Sequence, residues 1–280
     1  MRGDGADFGL RLKMSLDDMK EAGRISLHDV RREIDAIDDQ ILDLVSKRFA
    51  ITGHVQGLKK NEPASFPLPL RPTREAAILR RLVARGKVVG LSADFLVRLW
   101  RVVLNESSSR QAPITLHVSK HLNSNLAHRL RLRDHFGPMP VEEYRDEAQA
   151  LFQIDSVPGD ICVVETEQAW TEAFLAGKAG KAQVIGYLPY IKDDLMPQLL
   201  VLGHAPVEAS GDDETLVITE GKLPRDFTPQ PLWQVKIGQH RLSCLPGFLQ
   251  EHEGPLVGLT RSNPSLGLKI AGRCNSALEI

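Results

Sequence analysis

The sequence predicts a two-domain protein: an all-α domain of three helices over residues 26–112, followed by an α/β domain over residues 113–280. Three observations support this prediction. Apolar residues recur at helical spacing before residue 112, and short apolar runs alternate with helical stretches after Pro113. A chain of 280 residues also has the length expected of two domains.

Residues 1–25 are polar and mixed in charge, so we expect a flexible leader without the apolar core of a secretion signal. The net charge of -1 argues against a general nucleic-acid surface. No apolar run reaches the ~18 residues of a membrane span. The three cysteines lack C-x-x-C spacing and indicate neither a disulfide framework nor a zinc site, so we expect a cytoplasmic protein.

The first helix is predicted from Ser26 to Glu62, a stretch without proline that allows roughly nine turns. Ser26 is the expected N-cap, with Asp29 at the acidic third position. The apolar stripe of this helix consists of Val30, Ile34, Ile37, Ile41, Leu44 and Val45. Two short helices cannot cover so long a stripe, so we expect it to pack against a second chain.

Two shorter helices follow a proline-rich loop, Pro63 to Pro72. Thr73 is the expected cap of the second helix, which is predicted to stop at Gly86. Ser92 is the expected cap of the third, which runs to about Arg110.

The predicted strands of the α/β domain are Ile114–Val118, Ile161–Val164, Gln183–Tyr187, Leu199–Leu202, Thr215–Thr219 and Trp233–Ile237. Asn123–His135 and Glu167–Ala176 are predicted helices. The last ~65 residues are a candidate for a separate small subdomain.

Basic residues occupy defined faces of the first helix. Arg48 and Lys59 are eleven residues apart, close to three whole turns, so they share a face and lie ~16 Å apart along the axis. Arg31 precedes Arg48 by seventeen residues and points ~100° away from that face. Arg31 is therefore poorly placed for the same site in its own chain, but could serve the equivalent site of a two-fold partner.

The other two helices also carry polar residues in a pattern. Arg74 and Glu75 lie in the first turn of the second helix, and Ser107 and Gln111 are neighbours on one face of the third. Taken singly, such side chains are usually solvated or form weak surface pairs. Their joint order and spacing favour a functional site.

This arrangement resembles the helical chorismate mutases, including the mutase half of the bifunctional enzyme that also dehydrates prephenate. The resemblance runs from Val30 through Arg48, Lys59 and the pair Arg74-Glu75 to Gln111. One departure is Arg71, where the bacterial relative has an acidic residue.

The resemblance implies an isomerase, an intramolecular transferase that rearranges chorismate to prephenate in aromatic amino acid biosynthesis. It also implies a homodimer with shared active sites and no cofactor or metal. Lys59 and Gln111 would flank the ether oxygen of chorismate, and Glu75 would accept from the ring hydroxyl. The implied substrate-binding residues are Arg31 of the partner chain with Arg48, Arg74 and Ser107.

The second domain resembles a prephenate dehydratase in the segment Gly159–Glu165 and in the segment Leu199–His204, which is followed by Gly211–Val217. The Thr-Arg-Phe motif that carries catalysis in that family is replaced here by Pro197-Gln198-Leu199. The glycine-rich opening motif is replaced by the segment from Ser119 to Ser124. The resemblance therefore implies a dehydratase-like fold that has lost the chemistry.

Two alternatives stay open. One is a non-enzymatic regulatory protein that binds an aromatic metabolite and uses the helices for dimerisation, although a scaffold would not need the full polar set. The other is a bifunctional mutase and dehydratase, against which Pro197 and Gln198 argue.

Overall fold

The computed structural model describes residues 26–59, 69–192, 196–206 and 208–279, and the side chains of residues 55–59 lie outside this description. The predicted leader, the helix end at Glu62 and most of the proline-rich loop also lie outside it. The described residues form two compact units. The first unit comprises residues 26–59 and 79–103, and the second unit comprises the remainder.

The three predicted helices are confirmed as α1 (Leu27–Lys59), α2 (Pro72–Val88) and α3 (Ala93–Ser109). At the start of α1, the amide N of Asp29 donates to Ser26 Oγ and the amide N of Ser26 donates to Asp29 Oδ2, both at 3.2 Å. Hydrogen bonds from Ser26 lower the pKa of the Asp29 carboxyl. Ser92 Oγ accepts from the amide N of Phe95 at 3.2 Å, so both predicted serine caps are confirmed.

The predicted limits of α2 were wrong at both ends. The helix begins with Pro72, a residue favoured at the first helical position, rather than behind a Thr73 cap. It continues past Gly86 to a left-handed turn at Gly90, where the amide N of Leu91 donates to the carbonyl of Gly86 at 3.0 Å. Gly86 has another function: a Cβ there would lie 2.1 Å from Leu96 Cδ1, so the glycine allows α3 to approach α2 closely.

The second unit contains a mixed sheet in the order β2-β1-β3-β5-β4-β9-β6-β8-β7. Its strands are β1 (Leu116–Ser119), β2 (Val141–Tyr144), β3 (Ile161–Glu165), β4 (Gln183–Leu188), β5 (Leu199–Gly203), β6 (Asp213–Thr219), β7 (Trp233–Ile237), β8 (His240–Pro246) and β9 (Lys269–Asn275). Strands β2, β1 and β3 are parallel, and β5 is antiparallel to β3. The carboxyl ends of β1 and β3 therefore lie beside the amino end of β5.

The helices of the second unit are α4 (Lys120–Ser124), α5 (Leu126–Phe136), α6 (Glu147–Ser156), α7 (Thr171–Leu175) and α8 (Pro255–Ser262), with a 3₁₀ turn at Pro264–Leu266. The single helix predicted over 123–135 was wrong. Asn125 interrupts it and caps α5, because its side-chain oxygen accepts from the amide N of Ala127 at 3.0 Å. Only Thr171–Leu175 of the helix predicted over 167–176 is helical.

The six predicted strands are confirmed to within two residues at each end, but β2, β8 and β9 escaped prediction. Strand β2 reads Val-Glu-Glu-Tyr and is largely exposed, so it carries no apolar run. Strand β9 contains Gly272, at which a Cβ would lie 2.1 Å from the carbonyl oxygen of Val184. This glycine reads as a turn signal in the sequence, yet it permits close pairing of β9 with β4.

Candidate active site

In the first unit, Arg48 is held by residues of α3. Its guanidinium carbon lies 5.9 Å from the centroid of the Trp100 ring, and its Nη1 donates to the carbonyl of Val103 at 3.5 Å. A guanidinium at this distance from an indole ring is attracted by the negative ring face. The side chain is half-buried, so this contact orders a cation that remains reachable from solvent.

The other basic residues of α1 are arranged differently. Arg31 is exposed on α1, while Lys59 is its last helical residue and its side chain lies outside the described part. The helical spacing predicted for Arg31, Arg48 and Lys59 holds, because all three are in one uninterrupted helix.

The predicted apolar stripe on α1 is exposed in the single chain. Its members Val30, Ile34, Ile37, Ile41 and Leu44 keep 39 to 67% of their surface accessible. On α3, Phe95, Leu99 and Val102 form a second exposed apolar row at helical spacing. Contiguous exposed apolar surface of this kind marks an interaction face.

In the second unit, Glu75 is 9% exposed, and its Oε1 accepts from the backbone N of Arg71 at 3.4 Å. Arg74 is exposed in the same helical turn. The Arg71 side chain is half-buried and its Nη1 donates to the carbonyl of Leu70 at 3.1 Å. The departure at Arg71 therefore adds a guanidinium that binds the backbone next to it.

Ser107 and Gln111 lie together, as their spacing predicts. Ser107 is buried at 5% exposure near the end of α3, and Gln111 is half-buried in the turn that follows. Gln111 Nε2 donates to the carbonyl of Ser107 at 3.1 Å. This hydrogen bond limits the positions that the Gln111 amide can adopt.

A second polar cluster lies at the carboxyl ends of β1 and β3. His128 Nδ1 is 3.1 Å from Glu165 Oε1, and His121 Nε2 is 3.5 Å from Glu165 Oε2. Arg131 donates to the side-chain oxygen of Gln198. We call these residues, His121, His128, Arg131, Glu165 and Gln198, the edge cluster. It lies at the ends of the strands whose motifs resembled those of dehydratases, and the Gln198 side chain is hydrogen-bonded to an arginine there.

Two further observations limit the chemistry of the described residues. Among them, no group of three or more His, Cys, Asp and Glu side chains has an arrangement that could hold a metal ion. Cys162, Cys244 and Cys274 are free thiols in the core, and burial raises the pKa of each. A buried thiol with a raised pKa is protonated at neutral pH and unreactive as a nucleophile.

Sequence reasoning missed several contacts. The contact of Trp100 with Arg48 has a signal in the sequence, because Trp100 and Val103, which both contact Arg48, are three residues apart and so share a face of α3. The same spacing relates His128 and Arg131 on α5. Their partners Glu165 and Gln198 are distant in sequence, so only the sheet order could reveal them.

None of the described helices combines the length and the hydropathy that crossing a membrane would require.

Two of the solved structures that this chain resembles are similar to it at low sequence identity. The structure of GqqA, described as a novel type of quorum quenching acylase, gives a TM-score of 0.39 at 8% identity, over 59% of this chain and 95% of that one. Prephenate dehydratase from Streptococcus mutans gives a TM-score of 0.34 at 14% identity, over 59% of this chain and 99% of that one. Both TM-scores are below 0.5, too low to establish a shared fold.

Comparison of sequences identifies relatives of the helical segment, residues 30–112. The bifunctional chorismate mutase/prephenate dehydratase of Enterobacter agglomerans is 30% identical over 104 residues. That alignment covers 37% of this chain and 25% of the relative, so the chain spans about a quarter of the relative's length. The profile of the family described as chorismate mutase type II matches residues 30–112. The resemblance of the helical segment is thus confirmed: residues 30–112 match the chorismate mutase type II family.

Proposed function

We propose that this protein is a chorismate mutase, an isomerase that rearranges chorismate to prephenate in aromatic amino acid biosynthesis. The match of residues 30–112 to the chorismate mutase type II family carries the proposal. That segment contains the full polar set: Arg31, Arg48, Lys59, Arg74, Glu75, Ser107 and Gln111.

The proposed substrate has two carboxylates, a ring hydroxyl and an ether oxygen. Arg48 and Arg74, with Arg31 of the second subunit, neutralise the carboxylates, a task that suits a permanently charged, bidentate guanidinium. Ser107 adds a hydrogen bond to the substrate, and Glu75 accepts from the ring hydroxyl. The contact of Arg48 with the Trp100 ring supports the proposed binding of a substrate carboxylate by Arg48, because an ordered cation loses less entropy when it binds an anion.

The proposed reaction is pericyclic and needs no nucleophile. The protein must hold a flexible substrate in a near-attack, chair-like conformer, which is catalysis by orientation. It must also stabilise the negative charge that grows on the ether oxygen as the C–O bond breaks. In the proposal, Lys59 supplies a full positive charge there and Gln111 a neutral donor, and both contacts strengthen in the transition state.

A homodimer with shared sites is part of the proposal. The exposed stripes on α1 and α3 support it, since covering the exposed half of each side chain would contribute roughly 1 kcal/mol. The position of Arg31 supports it too, because α1 points this residue ~100° away from Arg48. A second copy of α1 would cover the stripe and bring its own Arg31 to the neighbouring site.

The second unit is proposed to lack dehydratase activity. Proline replaces the motif's hydroxyl at position 197, and Gln198 replaces its guanidinium. The amide oxygen of Gln198 accepts a hydrogen bond from Arg131, so the residue that replaces the motif's arginine is held within the edge cluster.

The experiment that tests this function is consumption of chorismate by the purified full-length chain, with chromatographic identification of the product. Prephenate as the product supports the mutase. Phenylpyruvate as the end product would instead support the bifunctional alternative, and unconsumed chorismate would support a non-enzymatic binding protein.

A further inference from the structure

One face of α5 borders a groove beside the edge strand β2. The groove is open to solvent and has a volume of about 250 Å³. Its apolar lining includes Leu126 and Leu130 of α5, Met139 just before β2 and Val141, the first residue of β2. Arg129 and Arg133 also line it. The edge cluster uses other α5 residues, His128 and Arg131, so the groove is distinct from it.

Three of the apolar side chains that line the groove are exposed to solvent. Leu126 is 65% exposed, Leu130 57% and Val141 45%. The two leucines are four residues apart and therefore adjacent on the helix. Exposed apolar side chains that border a cavity gain free energy when a ligand covers them.

The two arginines add a charge that the described residues do not neutralise. Arg129 and Arg133 are one turn apart on α5, and within the described ranges neither guanidinium has a side-chain hydrogen bond or ion pair. The residues that line the groove include no aspartate or glutamate. Two adjacent guanidiniums repel each other, and a carboxylate bound to both would remove this repulsion.

The acidic side chains on β2 do not neutralise Arg129 and Arg133. Glu143 Oε2 accepts from Asn123 at 2.9 Å, and Glu142 Oε2 accepts from the Tyr144 hydroxyl at 2.6 Å. These two glutamates also place negative charge along the open sheet edge, and such charge opposes the addition of another strand. The groove is therefore better suited to a small molecule than to an extended peptide.

Size and charge together define the ligand. An apolar cavity of about 150 Å³ holds benzene. The larger volume of this groove leaves room for a short side arm that ends in a carboxylate. The ammonium group of an amino acid would meet two arginines and no carboxylate. We propose that this groove binds a small aryl-alkyl monocarboxylate without an amino group, with the ring against Leu126 and Leu130 and the carboxylate between Arg129 and Arg133.

Calorimetric titration of the full-length protein with 3-phenylpropanoate tests the proposal. We expect one site per chain, and at least ~10-fold weaker binding of L-phenylalanine, which differs by its ammonium group. The double variant Arg129→Ala/Arg133→Ala should bind 3-phenylpropanoate at least ~10-fold more weakly, the scale of one lost charged hydrogen bond. Arg225→Ala, which removes an exposed cation elsewhere, should bind like the unaltered protein.

Binding at the proposed mutase site is the competing explanation, and Arg48→Ala separates the two. Binding that survives Arg48→Ala and is lost in the double variant supports the groove. Binding that is lost in Arg48→Ala and survives in the double variant overturns it. Absence of binding to the unaltered protein also overturns the proposal. A change in sedimentation caused by Leu130→Asp would overturn it too, because it would show that a second copy of the chain occupies the groove.

Discussion

The Arg48 guanidinium lies over the ring of Trp100, with 5.9 Å between the guanidinium carbon and the ring centroid. The two residues come from α1 and α3 and are linked further by the hydrogen bond from Arg48 to the carbonyl of Val103. At a partly exposed position such a contact contributes about 0.5–2 kcal/mol. It fixes the direction of a cation that the proposed function assigns to a substrate carboxylate.

Trp100→Leu is expected to raise KM for chorismate by roughly 2- to 30-fold, the range that corresponds to the loss of the ring contact, with a smaller change in kcat. Trp100→Phe keeps a ring face and should retain most of the affinity. Steady-state kinetics with a thermal melt of each variant measures this. A lower melting temperature in Trp100→Leu with KM unchanged would show that the indole serves packing alone.

Lys59→Ala should lower kcat by at least ~100-fold, the scale for loss of one charged contact to the transition state. Gln111→Ala should cost less, because it removes a neutral donor whose amide is also bonded to Ser107. The two kcat values, measured side by side at saturating chorismate, rank the contributions. Greater damage from Gln111→Ala would contradict the assignment of charge stabilisation to Lys59.

Arg31→Ala and Arg48→Ala should each be nearly inactive, while a mixture of the two should recover activity. A mixed dimer would contain one intact site and one site that lacks both arginines, so random exchange should restore roughly a quarter of the original rate. A mixture of Arg48→Ala with Arg74→Ala is the control, because both residues would serve their own chain's site. Subunit exchange is verified by mass, and failure of the first mixture to recover would exclude a shared site.

Prephenate supplied at neutral pH should not be dehydrated above the uncatalysed background. Departure of the ring hydroxyl with loss of carbon dioxide needs a positioned acid, and neither Pro197 nor Gln198 supplies one. Phenylpyruvate formation, followed by absorbance, measures this. Turnover that disappears in Gln198→Ala would show that the edge cluster is catalytic after all.

The three helices α1, α2 and α3 were predictable because their signals are local. The Ser26 and Ser92 caps and the apolar spacing of α1 depend only on neighbouring residues. The end of α2 was misplaced because Gly86 allows a neighbouring helix to approach, a property of tertiary packing that resembles a stop signal in sequence.

The sheet was only partly predictable for the same reason. Buried strands such as β3 and β5 are continuous apolar runs, whereas β2 is exposed and β9 depends on the space that Gly272 leaves beside β4. The positions of the polar site residues along their helices followed from spacing. The contact of Arg48 with Trp100 and that of His128 with Glu165 join distant segments, and spacing carries no information about them.

Prephenate formation from chorismate, measured in the presence of EDTA for the unaltered protein and for Lys59→Ala, tests the central claim most directly. The unaltered protein should convert chorismate to prephenate at the same rate with and without the chelator, and Lys59→Ala should lose at least ~100-fold of that rate. A folded, unaltered protein that leaves chorismate unchanged, or that forms prephenate no faster than Lys59→Ala does, would contradict the account.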